Sequence, residues 1–151
     1  MLGELNEKQI DSLLHSQLVG RLGCHAGGIT YVVPVTYIYD NGDIICHSRD
    51  GLKLEMMRKN PEVCFETDHM ENMANWQSVI TWGIFEELKN GEAREALQKM
   101  FDKFTPLLVS QTALPDHANE NKDRKPAPAA AAVVFRIRLK KRTGRFEKRT
   151  L

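Results

Sequence analysis

Cysteine is scarce in this sequence, with three in 151 residues and no Cys-x-x-Cys pair. Cys24, Cys46 and Cys64 cannot all pair, and each falls in a strand-like segment. They read as reduced, buried thiols rather than a disulfide framework. Long apolar runs are missing as well. None approaches the roughly 20 residues of a membrane-spanning helix, and MLGELNEKQI has neither the basic start nor the apolar segment of a signal peptide. The chain therefore reads as cytoplasmic, with no membrane partner. Charge of one sign is lacking too: the net charge is +1, so no global field draws in nucleic acid. The basic tail at 140–151 reads as solvated charge at a strand end. No internal repeat is visible. The remaining composition, 42% hydrophobic and 27% charged, is that of one ordinary globular domain over residues 1–151.

The first helix signal is Leu5-Asn6-Glu7-Lys8-Gln9-Ile10. Asn6 can cap, Gln9 can reach back as in a capping box, and Leu5 can staple onto Ile10. Ile10, Leu13, Leu14 and Leu18 give the helix an apolar stripe. Strands follow at Val19 to Cys24 and Ile29 to Tyr39, with a turn at His25 to Gly28 between them. Asp40-Asn41-Gly42-Asp43 has the positive-φ residues of a tight hairpin into a third strand, Asp43 to Ser48. A helix from Gly51 ends at Asn60-Pro61. A fourth strand is expected at Val63 to Thr67, and HMENMAN (69–75) as a loop. A fifth strand runs from Trp76 to Leu88, where Gly83 marks a bend, a bulge or a close approach. An amphipathic helix is expected from Gly91 to Phe104, a mobile loop over 105–130, and a sixth strand from Ala131 to Leu139. Six strands joined mainly by hairpins, with three inserted helices, predict a mainly β, antiparallel barrel.

Candidate chemistry gathers in Tyr31 to Lys53. Pro34 sits inside a strand, where proline is confined to edges and bulges. It marks either an ordinary edge strand or bulge, or a ladder opened for a flat ligand, and the two readings are compatible. His47, Ser48, Arg49 and Lys53 then cluster donors and positive charge just ahead of a helix N-terminus. That arrangement can seat a phosphate, though a solvated loop explains the same residues. Cys24-His25 and Cys46-His47 make poor metal ligands, because neighbours in a strand face opposite ways and zinc sites space their pairs by two to four residues. Trp76-Gln77-Ser78-Val79 opens a strand, and its Trp is as consistent with a core or interface anchor as with a cofactor platform.

PVTYIYDNGDIICHSRDGLKLEMMRKNPEVCFE followed by NWQSVITWGIFEEL resembles the pyridoxamine 5′-phosphate oxidase-like FMN-binding split barrels, and within them the 5-nitroimidazole resistance and small flavin-binding group. The likeness covers about Leu5 to Leu88, and AVVFRIRLKKRTGRF fits the family's last strand. It implies a homodimer of six-stranded split barrels with FMN in clefts at the subunit interface. Val32, Val33, Pro34, Val35, Thr36 and Tyr37 would lie along the isoalloxazine ring. Cys46, His47, Leu52 and Lys53 match the phosphate-holding positions, with Ser48 beside them. Ser78 matches a polar position that reaches the flavin, with Trp76, Gln77 and Val79 as neighbours. True pyridoxamine-phosphate oxidases carry Arg and Lys where this chain has Val32 and Tyr37, and Arg-Lys where it has Leu52-Lys53. They also have a Trp-bearing C-terminal substrate segment that this tail does not match, so vitamin B6 oxidation is not expected.

The expected function is flavin-dependent redox chemistry on a small molecule, for instance a nitroimidazole. His47 is the candidate acid–base residue, because it alone among the nearby side chains ordinarily titrates near neutral pH. A non-catalytic flavin-binding or storage protein is the alternative from a second class. A haem-binding split barrel is a third, and a deazaflavin in place of FMN is also compatible.

Overall fold

A computed structural model describes residues 1–109 and 132–150. Eight antiparallel strands form one sheet in the order β3-β2-β6-β7-β8-β5-β4, with β1 added to β8. The strands are β1 (Leu2–Glu4), β2 (Val19–Ala26), β3 (Ile29–Thr36), β4 (Ile38–Asp40), β5 (Asp43–Arg49), β6 (Glu62–Asn72), β7 (Asn75–Leu88) and β8 (Ala132–Lys148). Helices α1 (Glu7–Ser16), α2 (Leu52–Lys59) and α3 (Asn90–Val109) are inserted between them. No helix among the described residues is long and apolar enough to cross a membrane.

Local chemistry accounts for much of this. Asn6 Oδ1 accepts from the Gln9 amide at 2.9 Å while the Asn6 amide donates to Gln9 Oε1 at 2.8 Å, completing the capping box of α1. Asn41 and Gly42 both take positive φ, which is the twist a two-residue hairpin requires between β4 and β5. The β2–β3 hairpin likewise turns on Gly27 and Gly28. The barrel interior is filled by Leu14, Leu22, Tyr37, Ile44, Leu54, Met57, Phe65, Val79, Phe135 and Ile137, all essentially inaccessible. Cys24 and Cys46 are buried free thiols and Cys64 is a half-buried one.

Four sequence expectations need correction. The strand expected over Ile29 to Tyr39 is two strands, β3 and β4. Tyr37 breaks it by turning its ring into the core and donating its amide to the Leu18 carbonyl at 3.1 Å. Together with β1, which pairs with the far end of β8, this raises the count from six to eight. The basic tail at 140–151 is strand as far as Lys148. Gly144 and Phe146 face inward, Gly144 against Leu5 and Ile10, while Lys141, Thr143 and Arg145 face out. The segment HMENMAN is the end of β6 and a tight turn, in which Asn72 Oδ1 accepts from the Ala74 amide at 2.9 Å and the Asn75 side chain at 3.0 Å. Finally, α3 continues past Phe104 through Pro106 to Val109. Residues 110–130 of the expected loop lie outside the described residues.

Gly83 is a close approach and sits at a bulge. The β7–β8 register shifts between Trp82 and Gly83, and a Cβ at Gly83 would stand 2.4 Å from the Arg138 carbonyl oxygen. β8 is the long spine of the sheet, pairing with β5 and β7 and, at its far end, with β1.

Candidate functional site

β3 is an edge strand, paired only with β2. Pro34 stands opposite Arg21 in that ladder, so the edge-strand reading of the proline holds. Tyr31, Val33 and Val35 turn inward onto the core, whereas Val32, Pro34 and Thr36 face out, Val32 with 63% of its surface exposed. On its other side β3 faces β5 across a seam. β4 pairs only with Asp43 to Ile45 of β5, so Cys46 to Arg49 have β8 on one side and no partner strand on the other. Backbone donors and acceptors of both strands therefore line the seam unpaired by any ladder.

The expected phosphate rim lies at the end of β5. His47 is exposed, and Ser48 Oγ donates to the Arg49 carbonyl at 2.8 Å. Gly51 is the N-cap of α2 and offers no side chain to cap its first turn, leaving the N–H groups at Leu52 and Lys53 without a side-chain acceptor. The one carboxylate in this loop, Asp50, is engaged by Arg58 at 3.0 Å, and Arg58 also donates to Glu87. Arg49 and half-buried Lys53 thus stand at the rim without an acidic neighbour in the loop to offset them. Cys46 is a different matter. Burial pushes its thiol up to about 12, against the opposing pull of the Lys53 ammonium, so it stays protonated and serves packing. Tyr37 is likewise structural: its ring is fully buried edge-on to Phe65, and its hydroxyl donates to the Leu14 carbonyl at 2.6 Å.

Trp76 to Val79 lie elsewhere. His47 pairs with Val134 of β8, whereas Ser78 pairs with Arg145, eleven residues further along the same strand and roughly 36 Å of strand path away. One chain does not bring the two groups together. Val79 faces the core and is fully buried; Gln77 is exposed near the barrel end. Trp76 and Ser78 face out with Ile80, and the three line a shallow hollow of about 170 Å³ with Thr143, Gly144 and Arg145. Trp76 Nε1 donates to Glu147 at 3.2 Å.

The same outward face carries residues that the sequence did not single out. Arg21 of β2 lies 3.2 Å from Asp68 and 3.6 Å from Glu66 of β6, and Ser78 Oγ lies 3.3 Å from Glu66 Oε1. Partial burial, the hydrogen bond with Asp68 and that group's charge push the Glu66 carboxyl up to about 7, against the pull of Arg21. Further along the face, Val32, Gly23, Cys64, Trp82 and Lys140 line an apolar groove of about 470 Å³. Its floor is open because Gly23 has no side chain; a Cβ there would meet Cys64 Sγ at 2.7 Å. These residues sit on five strands, and only the register places them side by side. No group of three or more His, Cys, Asp or Glu that could hold a metal ion occurs among the described residues.

An antiparallel barrel opened between β3 and β5, with a cationic rim at the opening, is a split β-barrel. The chain belongs to the pyridoxamine 5′-phosphate oxidase family, whose model matches residues 6–146. Among solved structures it is similar to a FAD-binding protein from Mesorhizobium loti, at 27% identity and a TM-score of 0.75 over 98% of this chain and 99% of the other. A candidate 5-nitroimidazole antibiotic resistance protein from Bacteroides thetaiotaomicron superposes with a TM-score of 0.71 at 20% identity, over 97% of this chain and 87% of the other. At that identity the likeness bears on the fold. A curated but uncharacterized protein of Rhizobium meliloti (strain 1021) is 33% identical over 70 residues, 46% of each chain.

Proposed function

We propose that this protein binds FMN and uses it to pass electrons to a small molecule, working as a homodimer. The observation that carries the reading is the seam between β3 and β5. It offers a flat strand edge interrupted by Pro34, with His47, Ser48, Lys53 and the uncapped start of α2 at one end. A ring system with a phosphate tail fits that donor set: the strip at Val32, Pro34 and Thr36 is flat and half apolar, and the rim is cationic with Asp50 already engaged. Flavin, when bound, supplies the electron transfer. Within this reading His47 and Lys53 hold the phosphate, β3 orients the ring, and Leu52 covers the tail.

The separation of Ser78 from His47 within one chain supports a two-subunit site, in which the Trp76 to Val79 end of one copy meets the β3 seam of another. The exposed Val19, Val32, Ile80 and Trp82 on the outward face give that pairing an apolar surface to bury. The Mesorhizobium loti relative binds FAD, and FAD carries the same ribityl phosphate that the rim would hold. The test is the absorbance spectrum of the purified and reconstituted protein, with identification of the molecule released on denaturation. A flavin spectrum is expected, with reoxidation of the reduced protein by a nitroaromatic. A Soret band, or no chromophore taken up from added FMN and FAD, refutes the proposal.

A further inference from the structure

Two carboxylates on the outward face share one arginine. Arg21 lies between Glu66 and Asp68, and Glu66 in turn touches Ser78 on the neighbouring strand. The groups that face Glu66 are Arg21 from β2, Asp68 from its own strand, Ser78 from β7 and, one strand further, Thr143 and Arg145 of β8; Ile80 stands directly opposite it in the ladder. Among the described residues, no helix side chain bonds to this cluster. Arg21 is the one cation paired with these two acids, Arg145 standing a strand further off, so the contact cluster carries an excess negative charge unless one carboxyl keeps its proton.

We propose that Glu66 is a positioning residue of the flavin site, and that its protonation state decides whether Ser78 donates or accepts a hydrogen bond at the outward face. The inference rests on the functional reading above, because it is there that Ser78 meets the flavin. An ionised Glu66 has lone pairs only, so it holds the Ser78 hydrogen and leaves serine lone pairs facing outward. A protonated Glu66 gives its own hydrogen to Asp68 and becomes a weaker, uncharged acceptor. The Ser78 hydroxyl is then free to swing and donate outward. The edge of an oxidised isoalloxazine is mostly acceptors (two carbonyl oxygens and two ring nitrogens, against one N–H), so the protonated arrangement matches it better. It also removes the excess negative charge beside an electron-rich ring. The raised affinity of this carboxyl for its proton places the change near neutral pH. Flavin binding is therefore linked to proton uptake.

The experiment is a titration of the apoprotein with FMN, followed by flavin fluorescence, at several pH values between 6 and 8 for the wild type, Glu66→Gln and Ser78→Ala. The phosphate of FMN also titrates in this range, but it is common to all three proteins and cancels when variant is compared with wild type. Wild-type affinity is expected to weaken with rising pH by roughly two- to tenfold more than either variant, the size of one hydrogen bond gained or lost. Glu66→Gln keeps an amide that donates to Ser78, so it is expected to hold the acid-side affinity across the range. Ser78→Ala has no hydroxyl to redirect and is also expected to follow the shallower profile. A wild-type slope retained in either variant overturns the proposal. FMN binding whose pH profile is the same in all three proteins overturns it while leaving the functional reading intact. Failure of the wild type to bind any flavin at any pH overturns that reading and this inference together.

Discussion

Replacing Tyr37 with Phe removes a single oxygen atom from the middle of the barrel, and the structure says what that atom does. The α1 helix ends at Ser16, so the carbonyls of Leu13, Leu14, His15 and Ser16 have no partner within the helix. Leu13 is served by the Gln17 amide and the Ser16 hydroxyl, and Leu14 by the Tyr37 hydroxyl at 2.6 Å. Phe at position 37 keeps the edge-on contact with Phe65 and the Lys103 ammonium over the ring, so packing is conserved and the loss is confined to the hydrogen bond. A buried carbonyl left unsatisfied costs about 1–2 kcal/mol, which for a chain of this size lowers Tm by about 3–6 °C. Burial also pushes the Tyr37 phenol up to about 12. Its folded-state value lies above the unfolded one, so its stabilisation is present below pH 10 and is lost as pH rises toward 12. Tyr37→Phe should therefore be less stable than wild type at pH 7 and lose less on going from pH 9 to 11. Thermal melts at the three pH values measure both effects. FMN affinity measured at 15 °C, where both proteins are folded, should be unchanged. An unaltered Tm would refute the role assigned to the hydroxyl, and affinity reduced with Tm intact would show that it serves the cofactor instead of α1.

Lys53→Ala should weaken FMN binding by roughly tenfold or more, the loss of one charge-assisted hydrogen bond, and leave riboflavin binding unchanged; equal losses for the two ligands would take Lys53 off the phosphate. Gly83→Ala drives a Cβ to 2.4 Å from the Arg138 carbonyl and 2.9 Å from Ile137, so the bulge must move, at about 1–3 kcal/mol. Calorimetry showing no loss of Tm would mean that the β7–β8 register can shift freely. Ile80→Glu adds a carboxylate opposite Glu66 on the outward face. Sedimentation is expected to show a dimeric wild type and a folded, monomeric variant, and a monomeric wild type would refute the two-subunit site outright.

The Asn6 capping box and the Asn41-Gly42 hairpin were legible because each depends on residues close together in the chain, and the barrel class followed from the run of such hairpins; Gly83 was legible only as a glycine inside a strand, since the Arg138 carbonyl it meets belongs to a distant strand. The break at Tyr37 was not, since the ring is drawn inward by Leu14 and Phe65, which lie 23 and 28 residues away. The tail was misread for a different reason. Its lysines and arginines mask a period of two in which only Gly144 and Phe146 declare the inward face, and Arg142, on that same face, is neutralised by Glu7 and Asp11. Of the candidate site, His47, Ser48, Leu52 and Lys53 come from one local stretch and were found together. Cys46, Tyr37 and Val79 were carried by position within the motif, yet their side chains point into the core. Arg21, Glu66 and Asp68 had no local signal, because strand register alone makes them neighbours.

The length of β8 has a consequence for how the protein is made. Its 17 residues complete the pairing of β1, β5 and β7, and all three precede it in the chain. Until it leaves the ribosome, β5 and β7 each present a bare flank, and Leu2 to Glu4 have nothing to join. At about 5–20 residues per second, translating β8 itself takes roughly one to three seconds. During that interval most of the apolar interior already exists without the strand that closes it. Chaperone demand in the cell should therefore fall on the nascent chain before β8 has emerged, and a chain truncated before Ala132 should aggregate far more readily than one that extends through Lys148.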